Sequence, residues 1–157
     1  MRWIVDFSKP FRRGPVTLGF DTFFGISASL DMPPFAFIEQ DRLTALPTAL
    51  KTWVREGPAA PEFEAVQVLP ELTRRAVETI AARAPDAKNG QPFFIYLPYA
   101  SPHAPIVPSP EWQGKSGIGA YGDFVMQTDA TVGSVLDALE KSGAADNTLV
   151  IFTSDNG

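Results

Sequence analysis

The last three residues of the chain, Asp155-Asn156-Gly157, follow an apolar run and include two side chains that can bind a metal ion. Aspartate and asparagine offer hard oxygen ligands, which suit Ca²⁺ and Mg²⁺. The same residues also suit a turn, because asparagine and glycine accept positive φ angles and aspartate bonds its own backbone. Two ligands are too few for calcium, which takes about six to eight oxygens. Both interpretations stay open here: a plain turn, or part of a metal site that other groups complete.

A second candidate is His103, the only histidine, which lies in the proline-rich loop 99–105. Near neutral pH an imidazole can donate a proton, accept one, or contact an anion. Pro102 and Pro105 restrict the backbone on either side of the ring. A single loop histidine can equally be structural. His103 is therefore a candidate catalytic residue with a structural alternative.

Two helices and two strands would position these residues. Apolar residues at helical spacing predict a helix over 70–84, with Pro70 in its first turn and Pro85 ending it. A longer amphipathic helix is predicted over 119–142. Its apolar face would be formed by Phe124, Thr128, Val132, Val135, Leu136 and Leu139. The apolar runs 92–98 and 149–152 predict buried strands.

The order of strand, loop, helix and strand over 92–153 is that of a βαβ unit. The sequence therefore predicts an α/β fold with a parallel pair of strands and helices packed on the sheet. Ligands of such sheets bind outside the carboxyl ends of the strands. His103 follows the first predicted strand, and Asp155 and Asn156 follow the second. We expect the three side chains at one edge of the sheet.

Other segments carry weaker predictions. Residues 1–35 are interpreted as loops with short strands, 35–39 as a strand, and 48–66 as a surface excursion. Residues 113–117 (Gln-Gly-Lys-Ser-Gly) resemble a phosphate-binding loop, but Ser109 occupies its first glycine position, so nucleotide binding is rejected. Asp123 is assigned to the dipole at its helix start. Asp129 is either exposed or a buried hydrogen-bonding group.

Composition excludes several classes of protein. The chain has 157 residues, 45% of them apolar and 20% charged, which fits one globular domain. The net charge of -5 and the absence of a basic stripe argue against a nucleic-acid partner. No apolar run of about 18 residues predicts a membrane span. There is no cysteine, and no signal peptide is recognised, so the compartment stays unknown.

Four segments, in this order, resemble the sulfatase family, in particular its arylsulfatase A-like branch: residues 19–25, 101–105, 121–123 and 153–157. The resemblance implies a fold similar to alkaline phosphatase, a large mixed sheet between helices. It also implies hydrolysis of sulfate esters, with a small molecule or a glycan as substrate. The family is mostly periplasmic, secreted or lysosomal.

The resemblance also implies roles for single residues. Asp155 and Asn156 match the family's second pair of calcium ligands. His103 matches a histidine that contacts the sulfate group and helps to protonate the leaving oxygen. A divalent cation that polarises the ester, together with an imidazole that supplies a proton, is consistent chemistry for this reaction.

The family's nucleophile is a formylglycine made from Cys or Ser in Cys/Ser-x-Pro-Ser-Arg, and no such motif is present. Residues 8–12 match loosely, but Phe11 stands where the motif has serine and the segment comes too late, so Ser8 is interpreted as a chance match. The first aspartate pair and a Gly-Lys-Trp-His segment are expected upstream, and a lysine beyond Gly157. We therefore interpret 1–157 as the central part of one sulfatase catalytic domain, cut at both ends and inactive alone.

Two alternatives remain. A phosphodiesterase or phosphonate hydrolase of the same fold would differ in the missing nucleophile, with Thr or unmodified Ser favouring phosphoryl transfer. An inactive, anion-binding remnant would keep a pocket around His103 without catalysis.

Overall fold

The structure is a computed structural model that describes residues 6–154. It is a mixed α/β fold, which confirms the predicted class. The strands are β1 (Phe24–Ile26), β2 (Phe37–Glu39), β3 (Arg42–Leu43), β4 (Ala49–Trp53) and β5 (Arg55–Ala59). The long helices are α1 (Val68–Lys88) and α2 (Ala120–Lys141). Short 3-10 turns lie at Pro15–Thr17, Ala65–Gln67, Pro110–Trp112 and Ala145–Asn147.

The strands β1, β2 and β3 form an antiparallel sheet with β2 in the middle. Arg75 of α1 fastens the helix to this sheet. Its two terminal nitrogens each donate to the Glu39 carboxylate at 3.1 Å, and its guanidinium lies 4.2 Å from the Phe24 ring centroid. The pair has the bidentate geometry that guanidinium and carboxylate favour. Helix α1 is thereby held against the edge of the first sheet.

The segment 48–66, predicted as a surface excursion, contains the antiparallel hairpin β4–β5. Trp53 explains why it folds. Its ring lies 4.9 Å from Phe35 and 5.7 Å from Phe63, both edge to face. Such pairs add about 0.5–1.5 kcal/mol beyond the burial of their area. The hairpin is thus held by an aromatic cluster and not by strand propensity.

The hairpin lies very close to the chain at Pro33, and Gly57 makes this approach possible. A Cβ atom at Gly57 would lie 2.3 Å from the Pro33 Cβ. We expect Gly57→Ala to lower the free energy of unfolding by about 1–3 kcal/mol, because the hairpin or Pro33 must shift. Gly133 in α2 is the matched control. A Cβ there meets no atom within 4 Å, so Gly133→Ala should stabilise the chain by about 0.5–1 kcal/mol. Urea unfolding measures both, and a neutral Gly57→Ala would contradict the contact.

Helix α1 runs past the predicted range 70–84, and the prediction that Pro85 ends it is wrong. Proline costs the helix one N–H donor, but the turn after it is closed by other bonds. The Asn89 side chain donates to the Pro85 carbonyl at 3.1 Å, and the Gln91 N–H donates to the Asp86 carbonyl at 3.0 Å. The helix therefore continues to Lys88, and Gly90, with a φ of 87°, turns the chain away.

Helix α2 agrees with its prediction to one residue at each end. Phe124 and Leu139 of the predicted face are buried, but Leu136 is 41% exposed and that assignment is wrong. Gln127 and Thr131 are buried instead, because the helix packs on polar partners along this line. Asp129, left open above, is exposed.

Two hydrophobic clusters form the core. The larger one joins the hairpin, the start of α1 and Phe124 of α2, and its buried members are Leu30, Phe35, Ala36, Ala59, Ala60, Phe63, Ala65, Val68, Leu69, Leu72 and Phe124. The smaller one is formed by Ile80, Ala138 and Leu139, with Phe93 and Ile95 packed against them. The loop residues Tyr99 and Ala100 pack on the larger cluster, so the segment leading to His103 rests on the core.

The runs 92–98 and 149–152 do not pair with any strand within residues 6–154, so the predicted parallel pair is not formed there. The first run still alternates like a strand. Phe93 and Ile95 face the smaller cluster, whereas Phe94 and Tyr96 are 77% and 69% exposed. Extended backbone becomes a sheet only where a neighbouring strand supplies hydrogen bonds, and no strand of the described part of the chain lies beside these runs.

Candidate functional site

The His103 ring lies in the turn that follows the run 92–98. Its Nδ1 is 2.7 Å from the Ala104 carbonyl oxygen and 3.5 Å from the Ser29 Oγ. A carbonyl can only accept a hydrogen bond, so Nδ1 must carry the hydrogen. In the neutral ring Nε2 then has the free lone pair. The side chain is exposed, so Nε2 is the ring nitrogen left to bond with another group.

The loop around His103 is fastened to α2. The hydroxyls of Ser101 and Thr128 lie 2.9 Å apart, and the His103 N–H donates to the Ala100 carbonyl at 3.1 Å. Further along, Gln127 bonds Ser109 twice: its Oε1 accepts from the Ser109 N–H at 2.9 Å, and its Nε2 donates to the Ser109 hydroxyl at 2.7 Å. These bonds give an irregular loop the fixed position that a catalytic side chain needs.

Tyr99, four residues before His103, anchors the loop on its other side. Burial raises the pKa of the Tyr99 phenol to about 12, and the neighbouring Thr73 hydroxyl lowers that pKa by less. The phenol oxygen is fully buried and has no hydrogen bond of good geometry within residues 6–154. Tyr99 is therefore a packing residue whose phenol is neutral at neutral pH.

The segment 29–31 was not predicted to belong to the site. Ser29 contacts His103, and Leu30 is 2% exposed in the larger cluster. Asp31 is 6% exposed, and its Oδ2 lies 3.7 Å from a terminal nitrogen of Arg55 on the hairpin. Its Oδ1 has no hydrogen-bond partner within residues 6–154. No periodicity or motif in the sequence indicates these contacts, because they join residues far apart in the chain.

The loop 113–119 is tied to α2 through Asp123. The N–H groups of Ser116 and Gly114 each donate to its carboxylate at 2.8 Å. These bonds lower the pKa of Asp123 below its ordinary value, and the bond from Ser116 has the largest effect. The backbone donors that a phosphate loop would aim at a ligand are thus occupied by this carboxylate. This supports the rejection of nucleotide binding and gives Asp123 a larger role than the helix dipole alone.

Asp123 should make stability depend on acid pH. Its pKa is lower in the folded than in the unfolded chain, so its contribution is complete above an unfolded value of about 3.9 and is lost as the pH falls through the folded value. We expect Asp123→Asn to lower the melting temperature at neutral pH by several degrees and to flatten its decline between about pH 5 and pH 2. Asp129→Asn, on the exposed face of the same helix, is the control. Parallel melting curves for the chain and Asp123→Asn would contradict this assignment.

Asp155 and Asn156, the predicted metal ligands, lie outside the described residues, so their convergence with His103 stays a prediction. Within residues 6–154, no group of three or more His, Cys, Asp or Glu residues could hold a metal ion.

Ser8, interpreted above as a chance match to the nucleophile motif, lies in an exposed turn. Its hydroxyl donates to the Asp6 carboxylate at 2.6 Å. Hydrogen bonds from Ser8 and Lys9 hold the pKa of Asp6 at about 2. No helix of the described part of the chain is long and apolar enough to cross a bilayer.

The fold and the four motifs agree with a comparison against known families. A model of the sulfatase family matches residues 4–157. The chain belongs to the sulfatase family. The match covers the His103 loop, the Asp123 helix and the terminal Asp155-Asn156 pair in one alignment, so the resemblance drawn from the motifs is confirmed.

Individual sulfatases match over shorter regions. N-acetylgalactosamine-6-O-sulfatase of Bacteroides thetaiotaomicron is 46% identical over 67 residues, which cover 43% of this chain and 13% of that protein. Arylsulfatase A of Bos taurus is 39% identical over 90 residues, which cover 57% of this chain and 18% of that protein. A solved chain from glycosaminoglycan metabolism in Bacteroides thetaiotaomicron shares the fold, with a TM-score of 0.74, 23% identity, and coverage of 91% of this chain and 37% of that chain. This chain therefore spans well under half the length of the relatives that it matches.

Proposed function

We propose that this chain forms the central part of a sulfatase catalytic domain that hydrolyses sulfate esters, and that His103 protonates the leaving oxygen. The observation that carries the proposal is the Nδ1 contact with the Ala104 carbonyl, because it leaves Nε2 of an exposed, anchored imidazole free to exchange a proton. An imidazolium at this position would give its Nε2 proton to the ester oxygen as the S–O bond breaks. The substrates named for the relatives support a glycan or small-molecule sulfate ester as the substrate class.

Asp155 and Asn156 are proposed as half of a calcium site. Their oxygen donors fit a hard cation, and the remaining ligands would come from residues outside this chain. When bound, such an ion offsets the negative charge of the sulfate oxygens. The assignment is tested by the calcium content of a purified sulfatase chimera that carries this chain, with and without Asp155→Ala. Unchanged calcium in the variant would refute it.

The nucleophile is proposed to be a formylglycine outside this chain. The chain has no cysteine, and the Ser8 hydroxyl is bonded to Asp6 in a turn that lacks the Pro-Ser-Arg context. The purified 157-residue chain should therefore release no inorganic sulfate from nitrophenyl sulfate. Sulfate release above the buffer rate would contradict this part of the proposal.

The function is testable by segment replacement. In the Bacteroides N-acetylgalactosamine-6-O-sulfatase, the region that corresponds to residues 4–157 in the family alignment is exchanged for this chain, and the 67 residues matched directly set the register. The product is a sulfatase chimera with its own upstream nucleophile. We expect the chimera to release inorganic sulfate from nitrophenyl sulfate and to leave phosphodiesters intact. A folded chimera that carries formylglycine but cleaves only phosphodiesters, or nothing, would overturn the proposal. The unmodified parent enzyme is the positive control.

A further inference from the structure

Arg55 lies next to the tip of the hairpin β4–β5, and its side chain is 60% exposed. One terminal nitrogen lies 3.7 Å from the Oδ2 of Asp31, which is longer than a hydrogen bond. Within residues 6–154, the guanidinium has this ion pair and no hydrogen bond of good geometry. Asp31 therefore holds the guanidinium in place but leaves its N–H donors free for another acceptor.

The hairpin fixes the backbone that carries this guanidinium. Arg55 pairs directly with Trp53, and only Val54 lies between them. Val54 has a φ of 70°, which a β-branched residue adopts only where the surrounding structure fixes the turn. The Trp53 ring packs on Phe35 with the ring centroids 4.9 Å apart. Because the backbone is already fixed, only the Arg55 side chain has to be ordered when it binds a ligand.

The segment 29–32 connects Arg55 with the candidate site. Ser29 contacts the His103 ring at 3.5 Å, and Asp31 contacts Arg55. A backbone hydrogen bond of 3.1 Å closes the segment into a turn, so its side chains stay close together. Chain dimensions set an upper limit of about 20 Å between the imidazole and the guanidinium. A substrate of several linked sugars is long enough to contact both groups.

The chemistry of the guanidinium indicates what such a substrate offers it. Carboxylate and sulfate groups can each accept two parallel hydrogen bonds from arginine. The net charge of the chain is -5, so an anionic substrate needs a local cation to offset the overall repulsion. An exposed guanidinium beside the candidate site supplies that cation.

We propose that Arg55 is a specificity-determining residue that binds a second anionic group of the substrate, remote from the sulfate ester that faces His103. The assignment rests on the proposed function. Arg55 touches no reacting atom in this scheme, so its loss should raise KM and leave kcat nearly unchanged.

Paired aryl sulfates test the proposal in the sulfatase chimera. One compound carries a carboxylate on a flexible tether, the other carries the uncharged primary amide, and both are made with tethers of increasing length. At the tether length that binds best, Arg55→Gln should raise KM for the carboxylate on the order of fivefold and leave KM for the amide unchanged. Added salt should reduce the difference.

Arg42→Gln is the matched control for this substitution. Arg42 lies on β3, is also 60% exposed, and has a carboxylate 3.8 Å from its guanidinium. Arg42→Gln should change KM for neither compound. Equal KM changes for the carboxylate and the amide in Arg55→Gln, or equal effects of the two substitutions, would overturn the proposal. Circular dichroism establishes that both variants are folded.

Binding can also be measured without turnover in the 157-residue chain. In ¹⁵N-labelled protein, the tethered carboxylate should shift the Arg55 Nε–H resonance, which is assigned by its loss in Arg55→Gln. The amide should leave that resonance in place. A chimera that hydrolyses neither compound counts against the proposed function, whereas an Arg55 resonance that the carboxylate does not move counts against Arg55.

Discussion

Replacing His103 with alanine in the sulfatase chimera should lower kcat/KM for sulfate ester hydrolysis by about 10²–10⁴-fold, the usual contribution of a general acid. The variant loses the Nε2 proton that would go to the leaving oxygen. Because the side chain is exposed, and because within residues 6–154 its ring bonds only to Ala104 and Ser29, the fold should not change. Rates of sulfate release under subsaturating substrate measure the loss.

His103→Gln separates proton transfer from polar contact. Glutamine keeps a hydrogen-bond donor near the same place but cannot give up a proton at neutral pH. We expect a loss similar to that of alanine. Activity close to that of the chimera in His103→Gln would show that His103 only binds the sulfate group, and would remove it from the acid role.

The second large effect concerns Phe124, which joins α2 to the larger cluster. It is 1% exposed, against 4% for Asp123 and 5% for Leu139 of the same helix. Phe124→Ala removes the ring and leaves a cavity, so the free energy of unfolding should fall by about 3–5 kcal/mol. Urea unfolding followed by circular dichroism measures it.

Val125 is the matched control for this prediction. It follows Phe124 directly in the helix and is 40% exposed. Val125→Ala also truncates an apolar side chain, but it should change the free energy of unfolding by no more than about 0.5 kcal/mol. Equal losses at the two positions would mean that α2 does not dock on the cluster through Phe124.

The helices could be predicted from the sequence because their signals are local. The apolar spacing of α2, with Lys141 in the last turn and Gly143 after it, gives both ends to within one residue. The end of α1 could not be predicted in the same way. The cost of Pro85 is offset by the Asn89 side chain and by Gly90, and that balance depends on three-dimensional geometry.

The hairpin β4–β5 could not be predicted because its stability is not local. Gly57 and Pro58 are poor strand residues, and they indicated a loop. The strands form because Trp53 packs against Phe35 and Phe63, and because Lys51 donates to the Phe63 carbonyl at 2.6 Å. Contacts between rings this far apart in the sequence leave no periodic pattern of apolar residues.

In the candidate site, too, only residues with a local signal could be predicted from the sequence. His103 could be singled out by its residue type and by its position after an apolar run, and its catalytic role stays a prediction. Ser29 and Asp31 could not, since their only signal is proximity in the fold. Asp123 was assigned to the helix dipole, but its main partners are the N–H groups of the preceding loop.

The central claim is that His103 gives a proton to the leaving oxygen, and the dependence of rate on the leaving group tests it most directly. A series of aryl sulfates is hydrolysed by the sulfatase chimera and by its His103→Ala variant. Poor leaving groups need the proton most, so we predict that the ratio of the two rates grows steadily as the leaving phenol becomes more basic. A ratio that stays constant across the series would contradict proton donation by His103.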